Sequence, residues 1–176
     1  SNPYAASKSA AEILCKQMNS QDLQIMRARS FNHFGPGQKE NFVAAALTKR
    51  MLLAQRLGQS EITVGNLETI RDFTDVRDVV RAYRLILTKG DGGNVYNVCS
   101  GIGRKISELA TTLLNKIDSE LELKLDPKLH RPSDTPALIG DYSKLHKRTG
   151  WEPHIEFDQT IEDTIESTRA LMTRER

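Results

Sequence analysis

Polar and apolar positions follow two rhythms along the chain, and the switches between them predict its elements. Residues 3 to about 19 are dominated by alanine and other strong helix formers, with Pro3 where a first turn tolerates it, so a helix is expected. Residues 23–30 alternate in the manner of a strand. Residues 31–38, with two glycines and a proline, predict a turn-rich loop. A second helix is expected over about 42–57, a short strand at 62–64, and a partner for that strand at 69–73. Asp75 is the expected N-cap of a helix from about 76 to 87, with apolar Val79, Val80, Tyr83 and Leu87. Residues 95–98 predict a strand, 106–115 a helix and 122–125 a strand. Prolines keep 130–136 extended. A short helix over 142–148 should stop at Gly150, and a last helix should begin at Phe157. Helices and short strands mixed in this way predict an α/β domain.

Composition narrows the function. The 176 residues suffice for one domain with a real core. A net charge of +2, spread without a basic stripe, argues against nucleic acid as a partner. Cys15 and Cys99 have no metal spacing and suggest a reducing compartment, and His33, His130, His146 and His154 are too dispersed for a metal site. With no apolar run that could span a bilayer and no signal peptide, a cytoplasmic location off the membrane is expected.

The candidate chemistry begins at the first residues. Tyr4 and Lys8 are one helical turn apart, so a helix brings phenol and ammonium to one face. An ammonium beside a phenol favours its ionised form, which is how a general acid/base for carbonyl–alcohol interconversion is built. A plain amphipathic helix would account for the same pair.

Three further stretches accompany it: Arg29-Ser30-Phe31-Asn32-His33-Phe34-Gly35-Pro36-Gly37-Gln38, then the run from Val64-Gly65-Asn66 through Thr69-Ile70-Arg71-Asp72-Phe73-Thr74-Asp75 to Val79, then Arg131-Pro132-Ser133-Asp134 with Thr149-Gly150-Trp151-Glu152-Pro153 behind it. In order and spacing the four together resemble the extended short-chain dehydrogenase/reductases that handle nucleotide sugars (the NAD-dependent epimerase/dehydratase family). Their wording is closest to the GDP-4-keto-6-deoxy-D-mannose reductases, then to the GDP-mannose 4,6-dehydratases.

The resemblance implies the C-terminal part of an NAD(P)-binding Rossmann-like fold: an incomplete parallel sheet plus a small α/β substrate-binding domain. Residues of about 1–40 and 75–100 would belong to the cofactor side, and about 41–74 and 101–176 to the substrate side. Tyr4 would supply the proton and Lys8 would grip the nicotinamide ribose, with His33 also against the cofactor. Asn32 would meet the substrate's diphosphate or sugar. Arg71 and Arg131 would clamp the diphosphate, two fixed charges with paired donors. Asp134 would take the ribose hydroxyls, and Asn66, with Gly65 and Leu67, would border the guanine. Each has a plainer alternative in a turn, a cap or a solvated side chain, and Asp78 reads as structural.

The implied activity is NADP(H)- or NAD(H)-dependent reduction of the C4 ketone of a GDP-4-keto-6-deoxyhexose by an intact parent that forms a homodimer or otherwise self-associates. Gln38, where the dehydratases carry an arginine, leans towards reductase; a dehydratase or epimerase and a non-catalytic nucleotide-sugar binding module are the alternatives. The glycine-rich cofactor loop is missing, Gly101-Ile102-Gly103 being a lone G-x-G. An N-terminal dinucleotide-binding part is therefore expected outside this sequence, and the 176 residues alone are expected to be inactive and to hold no dinucleotide tightly.

Overall fold

The computed structural model describes residues 3–117, 120–129 and 135–174. Helix α1 (Pro3–Met18) leads to strand β1 (Arg27–Ser30) and, one residue later, to β2 (Asn32–Phe34). Then follow α2 (Val43–Arg56), β3 (Glu61–Val64), β4 (Ile70–Asp75), α3 (Val76–Lys89) and β5 (Val95–Val98). The remainder is β6 (Gly103–Lys105), α4 (Ile106–Ile117), β7 (Glu122–Leu125), β8 (Ala137–Leu138), α5 (Ser143–Thr149) and α6 (Phe157–Arg174).

The strands fall into three groups. β1 and β5 pair in parallel, Arg27 beside Val95 and Ser30 beside Val98. β2 runs parallel to β4, which also pairs antiparallel with β6 and parallel with β8. β3 pairs in parallel with β7, Ile62 beside Leu123. Residues 69–73 are therefore not the partner of 62–64. Between the two segments the Asn66 Oδ1 accepts from the Glu68 amide at 2.9 Å, while Ile106 and Ser107 donate to the Thr69 and Leu67 carbonyls. That local bonding ties the connection to the start of α4 and carries β4 away from β3.

The expected strand at 23–30 is also shorter than its alternation suggests. Asn19 Oδ1 accepts from the Ile25 amide and the Leu23 carbonyl from the Ser20 amide, so local turns take up the backbone groups that a ladder would need. Within the expected loop 31–38, residues 32–34 form β2, because β4 offers them a parallel edge.

Two cores hold these groups together. The larger gathers Leu47 and Met51 of α2, Leu109 and Leu113 of α4, Ile161 and Ile165 of α6, and Phe34 and Phe73 of the β2–β4 pair. The smaller packs Val79, Ala82 and Ile86 of α3 against Tyr96 and Val98 of β5 and against Leu145 and Trp151. Asp75 stands between them: it caps α3 by accepting from the Arg77 amide at 2.7 Å and accepts from Thr160 Oγ1 on α6 at 2.8 Å. Asp78 is buried; its Oδ2 accepts from the His154 and Ile155 amides, and its Oδ1 binds the Arg81 guanidinium. Trp151 donates its indole N–H to the Asp78 carbonyl at 3.0 Å, which fixes the chain beyond α5. Gly150, at φ 74°, takes the left-handed conformation that ends α5.

Candidate active site

Tyr4 lies in the first turn of α1 and is 71% exposed. Lys8, one turn on, holds its Nζ 5.5 Å from the centre of the Tyr4 ring, so phenol and ammonium do share a face. None of the described side chains of α1 is buried. The helix is tied to β1 by Glu12, which accepts from Arg29 Nε at 3.1 Å and Nη2 at 2.6 Å and lies 3.5 Å from Arg27 Nη1.

A cleft of about 730 Å³ opens beside Tyr4, lined also by Ser30, Asn32, His33 and Gln38 with Phe31 and Phe42. Strand β2 builds its floor. His33 stands opposite Thr74 in the β2–β4 register, its Nδ1 is 2.9 Å from the Phe31 carbonyl, and its own carbonyl accepts from Gln38 Nε2 at 2.8 Å. The turn beyond β2 needs its glycines: Gly37 sits at φ 81°, and at Gly35 a Cβ would come within 2.8 Å of Val76 Cγ1. The loop is thereby pressed onto the start of α3.

A second cleft of about 620 Å³ adjoins the first and shares Asn32 and Phe42 with it. Its walls include Val43 and Arg50 of α2, the turn Gly65-Asn66-Leu67, and Arg71 of β4. Arg71 is half-buried and donates from Nη1 to the Ile70 and Thr135 carbonyls, each at 2.8 Å, which draws residue 135 towards β4. Asn66 both lines this cleft and braces its own turn.

The structure thus brings Tyr4, Asn32 and His33 to one cleft and Asn32, Asn66 and Arg71 to the next, with Lys8 beside the Tyr4 ring. Arg131 and Asp134 lie outside the described residues. Sequence reasoning passed over two contributors. Arg50, on the second turn of α2, carries no motif and is identified only by the cleft it lines. Asp72, fully buried, accepts at Oδ1 from the Ser100 amide and hydroxyl, both at 2.7 Å, and at Oδ2 from the Gly101 and Gly140 amides at 2.9 and 3.1 Å. Strand alternation was the available signal, since Arg71 and Asp72 must point to opposite faces.

Electrostatics reinforce this second layer. Cys99, next to the Asp72 cradle, has its thiol pushed up to about 12, chiefly by burial and further by the Asp72 charge. Burial opposes the charge on Asp75, yet hydrogen bonds from Arg77 and Thr160 outweigh it and hold the carboxyl below its ordinary value. No group of three His, Cys, Asp or Glu among the described residues could hold a metal, and no helix among them is long and apolar enough to cross a membrane.

Parallel strands linked through helices, with a phenol–ammonium pair above one cleft, define a Rossmann-like α/β protein, and comparison with known proteins agrees. A solved structure of RMD from Pseudomonas aeruginosa complexed with NADPH superposes at a TM-score of 0.90 with 39% identity, covering 97% of this chain and 57% of that one. A UDP-glucose 4-epimerase with UDP-glucose from Thermotoga maritima superposes at 0.87 with 30% identity, covering 97% and 54%. The GDP-6-deoxy-D-mannose reductase of Pseudomonas aeruginosa is 42% identical over 162 residues, 91% of this chain and 53% of the relative. The sequence model described as GDP-mannose 4,6 dehydratase matches residues 1–164, and the chain belongs to that family. It spans about half the length of the relatives it matches.

Proposed function

We propose that this chain carries the proton donor and the substrate-binding clefts of an NADP(H)-dependent nucleotide-sugar reductase acting on the C4 ketone of a GDP-4-keto-6-deoxyhexose. The observation that carries the reading is the shared wall of the two clefts. Asn32 and Phe42 belong to both, so one ligand can place a sugar beside Tyr4 and its diphosphate beside Arg71. Likeness to a GDP-6-deoxy-D-mannose reductase supports the same substrate class.

Tyr4 donates its phenolic proton to the substrate oxygen, and Lys8, against the ring, offers a charged donor to a ribose hydroxyl and restores the tyrosine's environment. NADP(H) supplies hydride when bound. The site fits that group in having the Lys8 ammonium beside the Tyr4 ring and apolar Phe31 and Pro36 in the lining of the cleft. Arg71 neutralises the diphosphate, Asn32 hydrogen-bonds the sugar or phosphate, and Asn66 borders the base. Arg131 and Asp134 complete the site as second diphosphate ligand and ribose acceptor. Residues 1–40 and 75–100 serve the cofactor side, and 41–74 with 101–176 the substrate side.

The protein works in the cytoplasm as a homodimer, and the exposed Ile13, Leu14 and Met18 of α1 supply an apolar surface for the second copy. Membership of a family described by its dehydratase favours a second reading, in which the same tyrosine and lysine serve loss of water.

The test is Tyr4→Phe in a protein of the relatives' full length that carries this chain. Reduction of the 4-keto sugar should fall by about a hundredfold or more, the scale of a lost general acid, with GDP binding retained. An unchanged turnover would leave only a binding module.

A further inference from the structure

Arg50 is unexplained by the roles above. It projects from α2 into the wall of the second cleft, on the same side as the Val64-Gly65 turn, and Nη2 donates to the Thr63 carbonyl. That anchor uses one of the five N–H donors of a guanidinium and ties the exposed Arg50 side chain to the end of β3. Around it the cleft is lined by small and aliphatic residues. Val43, Ala46 and Leu47 line it from α2, Gly65 and Leu67 from the turn after β3, and Leu129 lies among the lining residues beside Gly65. The Gly65 position admits nothing larger, since a Cβ there would come within 2.9 Å of the Leu129 carbonyl oxygen. Arg71 marks the phosphate end of the same cleft.

Resting on the nucleotide-sugar reading, we propose that Arg50 selects the base: its free donors read the O6/N7 edge of guanine and so favour a GDP-linked over a UDP-linked ligand. Guanine presents two adjacent acceptors on that edge, which match the planar fork of an arginine. A uracil offers one carbonyl with a C–H beside it, and adenine sets an amino donor where the second acceptor should be. A lysine, a single point charge, reproduces the attraction but not the paired geometry.

Titration calorimetry of the 176-residue chain with GDP and with UDP tests this, on wild type, Arg50→Met, Arg50→Lys and Arg71→Met. Wild type should prefer GDP. Arg50→Met should weaken GDP by about tenfold or more, the scale of one bidentate base contact, and leave UDP within about twofold. Arg50→Lys should recover only part of the loss, and Arg71→Met should weaken both nucleotides alike. Thermal melts of each variant separate unfolding from lost recognition. Equal losses for GDP and UDP in a folded Arg50→Met would overturn the assignment of Arg50 alone, as would an unchanged preference. Binding of neither nucleotide by folded wild type would overturn the nucleotide-sugar reading along with it.

Discussion

Asp72 offers the sharpest test of how the site is held. Its carboxylate receives four hydrogen bonds, two on each oxygen, from Ser100, Gly101 and Gly140. Asp72→Asn preserves the shape but turns one oxygen into an NH2. Turned to Gly101 and Gly140 it faces two amide donors; turned to Ser100 it faces the amide while the hydroxyl swings round to accept. In either case the surviving bonds lose the carboxylate charge. Each donor deprived of its acceptor costs about 1–3 kcal/mol, and the partly exposed glycine loops can relax somewhat. A loss of about 2–4 kcal/mol is therefore expected. For a chain of this size that lowers the melting temperature by roughly 5–15 °C. Urea unfolding followed by the fluorescence of Trp151, the only tryptophan and fully buried, measures it directly. Asp91→Asn is the control. It removes an exposed ion pair with Arg148 and should change stability by less than about 1 kcal/mol. An Asp72→Asn chain as stable as that control would refute the view that this carboxylate ties the 100–101 and 140 loops to β4.

Two more outcomes follow from the perturbed groups. Because Asp75 is more acidic folded than unfolded, its contribution is full above the unfolded-state pKa and disappears as pH falls through the lower folded-state value. The stability gap between wild type and Asp75→Asn should thus narrow between pH 7 and about pH 3, and a gap that stays constant in urea midpoints would contradict this. With iodoacetamide at pH 8 the native chain should take one label, at half-buried Cys15, while Cys99, with its thiol near 12, stays unmodified until denaturant is added. Equal labelling of both in mass spectra of native protein would sink the assignment.

Local signals proved readable where one physical cause acts alone. The amphipathic runs of α2, α3 and α4, the Asp75 cap and the Gly150 stop stand where the pattern predicts them, each decided within a turn or two of chain. The partner of residues 62–64 was not readable in this way. Which strand meets β3 depends on residue 122, some sixty positions later, and on the Asn66 turn that aims β4 elsewhere. Site residues show the same division. Tyr4 and Lys8 are paired by helix geometry, and their meeting follows from spacing alone. Arg50 owes its place to tertiary neighbours with no trace in the local pattern. For Asp72 strand alternation gives only the face it points to, its donors coming from the 100–101 and 140 loops that the three-dimensional arrangement brings together.

If the proposed roles hold, the wall common to the two clefts separates what a ligand is from what happens to it. Arg50, the Gly65 turn and Arg71 line one cleft and Tyr4, with Lys8 beside its ring, lines the other, while among the described residues Asn32 and Phe42 are the two that line both. Drift in α2 could therefore retarget the chain to another carrier group while leaving the proton chemistry untouched, so that diversity of substrates and constancy of reaction need not compete for the same side chains.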